Sequence, residues 1–271
     1  MKIIKQLLWL LFALSLLTFS LGVSWQLSKS VNFFYGFWYQ NLQIDATIKK
    51  NVVKNTYGKR DFPVENARLH QEKFSDIVQA IHRQGEGLDR ISYLNSAGHI
   101  RRLLTDSEVV HLQDVANLLD KVSQLWLSNL LLLLFLLAIY TRKQLLSYSY
   151  VNRKSDISNT KLAKGEPSKF GLVIALVTTL PTGKHKLIAV LLLCLVTVIV
   201  LSLWGFTSLF YYLHTVIFPA DHQWFFYYKD SLMATIMKAP DIFSAIAGQL
   251  LIIALLLAAG IDAIVTRFQR S

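Results

Sequence analysis

Cysteine, proline, glycine and charge are all in short supply in this chain. The single cysteine, Cys194, lies inside an apolar run. It excludes an intrachain disulfide and leaves cysteine usage silent about the redox compartment. Five prolines and twelve glycines are spread over 271 residues, and no repeat occurs at solenoid periods. Charged residues make up 17%, where a soluble domain carries about 25%. Nucleotide motifs are missing too: there is no P-loop and no glycine fingerprint. Neither a G-x-S-x-G elbow nor a zinc-type His-x-x-x-His pair occurs, so no metal site and no cofactor is expected.

What the chain does have is apolar sequence, 53% of it, with a mean hydropathy of +0.40. The charge deficit is concentrated in a few nearly uncharged blocks, the mark of membrane spans. Residues 1–28 contain the first, preceded by Lys2 and Lys5. A cleavable signal peptide is the alternative, but the run exceeds the usual h-region of about 7–15 residues, which favours a retained anchor. Both readings put the next segment outside. Residues 124–141, 187–213 and 243–266 supply the second, third and fourth spans. The predicted fold is therefore all-α, four transmembrane helices with a small helical domain in residues 29–123 between spans one and two. In that domain Phe74, Ile77, Val78 and Ile81 recur at helical spacing. Thr105 and Glu108 have capping-box spacing ahead of a second helix. Alternating strand patterns are absent.

Charge orients the spans. Residues 1–6, 142–186 and 267–271 hold 13 Lys/Arg and only two acidic residues, whereas 29–123 holds 13 against 11. The positive-inside rule places both ends and loop 142–186 in the cytoplasm, and segments 29–123 and 214–242 outside. Within loop 142–186 the short apolar stretch 170–180 is expected to lie along the inner surface. The net charge of +11 is thus a topology signal of a cytoplasmic-membrane protein, and nucleic acid is not an expected partner.

Topology also sorts the histidines. His70, His82 and His99 read as ordinary surface residues. His111 differs, because Glu108 and Asp114 stand three residues before and after it. On a helix both carboxylates can reach the imidazole, and a carboxylate on one ring nitrogen makes the other a better proton acceptor. His214 closes the third span at the outer headgroup level, where ionisable groups are costly and tend to have a purpose. The loop beyond it, with Trp224 and the aromatic run Phe225–Tyr228, is too apolar to float in water. It is expected to pack on the outer leaflet or against the bundle near His214.

Taken together, these segments resemble the bacterial lipoprotein intramolecular transacylase family. Glu108-Val-Val-His111-Leu-Gln-Asp114-Val115 is similar to that family's E-x-x-H-x-x-D-V segment before span two. His214, Phe218, Trp224, Asp230, Leu232, Pro240 and Phe243 follow the family's order around span three and the loop after it. One departure is Leu213, where the pattern has Phe. The resemblance implies an enzyme that moves the sn-2 acyl chain of a diacylglyceryl lipoprotein to the α-amine of its N-terminal cysteine, giving a lyso-form lipoprotein. Its partners would be diacylated lipoproteins and membrane lipid, with no stable protein partner. His111 and His214 would be catalytic, supported by Glu108, Asp114, Trp224 and Asp230. Two alternatives stay open: a non-enzymatic scaffold or accessory subunit of a transport or secretion complex, and a hydrolase in which water replaces the amine.

Overall fold

The computed structural model describes residues 2–156 and 183–270. The described residues are mostly helical. They run as α1 (Lys2–Ser30), α2 (Tyr35–Asn41), α3 (Ile44–Val52), α4 (Ala67–Ile81), β1 (Ser92–Leu94) and β2 (Ile100–Arg102). Then follow α5 (Asp106–Asp156), α6 (Gly183–Trp204), α7 (Phe206–Ile217), α8 (Leu232–Met237) and α9 (Asp241–Arg270).

Three helical stretches are long and apolar enough to cross a membrane: Trp9–Ser30, Asp106–Ala138 and Asp241–Arg267. A fourth arises if Leu191–Trp204 and Phe206–Ile217 count as one span. That pair is bent by 87°. The expected third span is therefore not one straight helix, and its second half runs on to Ile217. The break falls at Gly205, whose φ of 72° and ψ of 147° suit a residue without a Cβ. Within α5, Asp106, Glu108, Asp114, Asp120 and Lys121 make the first turns too polar for hydrocarbon; the charge-free stretch that can cross begins after Lys121. The helix expected from Thr105 and the second span are thus one continuous element. It also takes in residues 142–156 of the basic loop. Most of the remainder, including stretch 170–180, lies outside the described residues.

The chain divides into two units. The first comprises Met1–Val23, Leu125–Val196 and Ile252–Ser271. Phe12, Leu16, Leu133 and Leu136 form its buried cluster, with Phe19, Ala258 and Ile261 against it. Asn129 and Ser15 join α1 to α5: Ser15 Oγ donates to Asn129 Oδ1 (2.9 Å) and Asn129 Nδ2 to the Ser15 carbonyl (2.9 Å). Such polar pairs hold apolar helices together where burial in lipid offers no hydrophobic gain. Leu131 and Leu256 are each 70% exposed, outward-facing leucines of the kind that face lipid.

The second unit comprises Ser24–Gln124 and Thr197–Leu251. Ile44, Ile48 and Val52 recur every fourth residue of α3, are all buried, and pack on α8. Phe74, Ile77 and Val78 of α4 are buried in the same core, as their spacing predicts. Asn66 caps α4 by accepting from the Leu69 N–H (3.0 Å). Tyr35 Oη donates to the Ile236 carbonyl (2.8 Å), and Lys238 Nζ to that of Leu42 (2.6 Å); both bonds tie the C-terminal part of the chain to residues 35–42. The unit also holds a β-hairpin that the sequence pattern does not announce, with Tyr93 opposite Arg101. Its strands have three residues each, too short for alternation to register. Asp61 holds the turn side of the hairpin, accepting from Tyr93 Oη (3.0 Å) and Asn95 Nδ2 (2.6 Å).

Candidate active site

The site begins with how α5 starts. Glu108 Oε2 accepts from the Thr105 N–H (2.5 Å), and the Glu108 N–H donates to Thr105 Oγ1 (3.3 Å). This is the expected capping box. The same carboxylate accepts through Oε1 from the Ser231 hydroxyl. Ser231 in turn caps α8, its Oγ accepting from the Ala234 N–H (2.8 Å). Glu108, fully buried, thereby fixes the N-termini of two helices against each other. It is committed to that task and makes no hydrogen bond to His111.

One turn later His111 is 8% exposed. Its Nδ1 is buried and finds no hydrogen-bond partner among the described residues. Phe218 stands edge-on at 5.0 Å and Phe226 at 5.9 Å. Burial, aided by neighbouring His214 and opposed by Asp114, pushes the His111 pKa down to about 4. The charged form loses its water and gains no bonded partner, so the ring is neutral at neutral pH.

His214 approaches from α7, with its ring centroid 6.0 Å from that of His111. Its Nδ1 donates to the Phe210 carbonyl four residues earlier (2.7 Å). A carbonyl only accepts, so Nδ1 carries the proton and Nε2 of the neutral ring is left as the acceptor. Phe210, Phe218 and Trp224 surround the ring at 4.1, 5.1 and 5.3 Å. Both histidines line one cavity of about 330 Å3. Its walls are otherwise mainly apolar, built from Leu112, Phe218, Trp224, Phe225 and Phe226 together with Met233, Ala234 and Met237 of α8, with Tyr211 also lining it. Trp224, Phe225 and Phe226 therefore lie where the loop's composition predicts, at the cavity with His214, whereas Tyr227 is exposed.

Two helices thus present two imidazoles to a common, mainly apolar space. A family model described as lipoprotein intramolecular transacylase Lit matches residues 8–240. The chain belongs to this family. No curated protein and no solved structure matches the chain. Membership makes it an intramolecular transacylase that acts on lipoproteins, and its apolar helices make it a membrane protein.

The other expected site residues stand further out. Asp114 does not bond His111; it accepts from His222 Nδ1 at 2.6 Å. Asp230 accepts from Thr56 Oγ1 (2.5 Å) and is not part of the cavity wall. His222 and Ser231 were not expected at the site. They meet residues 108 and 123 positions away in sequence, and no local spacing could reveal that. His70 corrects another expectation, since it is fully buried. Its Nε2 donates to the Pro63 carbonyl (2.9 Å), which leaves Nδ1 to accept from Tyr39 Oη (2.8 Å). His82 is half-buried and likewise satisfied, by the Val78 carbonyl (2.7 Å) and Trp25 Nε1 (3.0 Å). Burial lowers the pKa of both rings, and both serve the core. Among the described residues, no group of three or more His, Cys, Asp or Glu side chains is placed to hold a metal ion.

Proposed function

We propose that the enzyme moves the sn-2 acyl chain of a diacylglyceryl lipoprotein onto the α-amine of its N-terminal cysteine, with His111 and His214 as the acid–base pair. The observation that carries this reading is their shared apolar cavity, with ring centroids 6.0 Å apart. Nucleophile and ester belong to one molecule, so the substrate itself supplies much of the proximity. The unprotonated amine attacks the ester carbonyl, forming the C–N bond. The nitrogen becomes cationic, and its proton becomes acidic enough for a weak base. His111, held neutral by its surroundings and lining the same cavity, is the acceptor for that proton. The proton passes from His111 to Nε2 of His214, and His214 delivers it to the departing glycerol oxygen as the C–O bond breaks. Both rings end neutral, and nothing is gained or lost overall. No Ser or Cys nucleophile is needed.

Glu108 and Asp114 support the site indirectly in this reading, Glu108 through the two helix starts and Asp114 by anchoring the aromatic loop through His222. Trp224 lines the chain's path, and Asp230 fastens the loop to Thr56. The site faces outward, with both chain ends and residues 142–186 in the cytoplasm, as the basic bias supports. Mass spectrometry of lipoprotein N-termini, from cells with and without this chain, tests the reaction. N-acylated, lyso-glyceryl termini should appear only with the chain. Release of free fatty acid without amide formation would refute transfer.

A further inference from the structure

The walls of the cavity differ in character. Leu213, Ile217 and Phe225 are exposed and stand at its open side. Met233, Ala234 and Met237 are buried. These three share one face of α8, and that helix is held firmly from behind. Ser231 fixes its start to Glu108, Thr235 Oγ1 donates to the Tyr228 carbonyl (2.8 Å), and Tyr35 holds the Ile236 carbonyl. Leu232 and Ile236, on the far side, are fully buried in the core. A wall so backed cannot retreat before a longer ligand, and its smallest member, Ala234, lies between two methionines.

We propose that α8 is the end wall of an acyl-chain slot, and that Ala234, flanked by Met233 and Met237, sets the length of chain the two histidines can process. The proposal rests on the transacylase reading above. A methylene is similar in size to a water molecule, whose share of liquid volume is about 30 Å3. The cavity of about 330 Å3 therefore admits roughly ten methylenes. Ala234→Leu adds three carbons to the wall and should displace roughly three of them. Burying one methylene changes an equilibrium or rate ratio about fourfold, so three amount to about sixtyfold.

The test uses the full chain reconstituted in phospholipid vesicles, with synthetic diacylglyceryl lipopeptides that differ only in sn-2 chain length. The ratio of kcat/KM for long over short chains should fall by up to about sixtyfold in Ala234→Leu. Met237→Ala, which opens the same wall, should raise that ratio, and it decides the matter if Ala234→Leu fails to fold. Unchanged ratios in variants that transfer normally would overturn the inference alone. Absence of transfer by the wild-type chain would overturn the transacylase reading, and this inference with it.

Discussion

Replacing Glu108 separates support from chemistry at this site. Its buried carboxylate receives the Thr105 N–H and the Ser231 hydroxyl, and it holds the starts of α5 and α8 together. Glu108→Ala strands both donors, at about 1–3 kcal/mol for each buried group left unpaired. The expected loss is roughly 2–6 kcal/mol, enough to lower the midpoint of thermal unfolding by on the order of 10 °C. Glu108→Gln keeps the shape and one acceptor oxygen, and should cost about 1–2 kcal/mol. Thermal unfolding in detergent, followed by tryptophan fluorescence, gives the comparison. The Gln variant should also retain most of its transfer activity, because the carboxylate does not touch His111. The reasoning fails if Glu108→Ala unfolds at the wild-type temperature yet transfers nothing, since the carboxylate would then be acting on the reaction.

Two further outcomes are expected. The hydrogen bond to Asp114 raises the His222 pKa, with Asp221 adding to it. Stability from this pair is therefore fully present below the unfolded histidine value of about 6.5, and is lost as pH rises through the folded value. Midpoints for wild type and His222→Gln should differ most in acid and converge in alkali; a constant difference would count against the pair. A topology reporter near Gly98 or after Pro219 should behave as extracytoplasmic, and one near Ser158 as cytoplasmic. Cytoplasmic behaviour at Gly98 would reverse the orientation and every placement derived from it.

How much was legible in the sequence depended on how local each signal is. The apolar runs of spans one, two and four, the helical face of α4 and the Thr105–Glu108 box depend on spacings of a few residues, and these appear in the helices where they were expected. The pairing of His111 with His214 was legible only through the order of two motifs, because the contact joins α5 to α7. Local spacing misled at Glu108 and Asp114: both lie one turn from His111, but each is bonded to a residue more than a hundred positions away. Composition misled at His70, whose buried ring is satisfied by Tyr39 and Pro63. The bend at Gly205 was missed because a lone glycine in an apolar run is compatible with an unbroken helix. The hairpin was missed because three-residue strands are too short for periodicity.

The central claim is that His111 and His214 together carry the acyl transfer, and it is tested most directly by replacing each while the substrate is followed. His111→Gln and His214→Gln should insert into the membrane at wild-type levels. Neither should convert diacylated lipoprotein to its lyso, N-acylated form, as read by mass spectrometry of the N-terminal peptide. Full conversion by both variants would contradict the account.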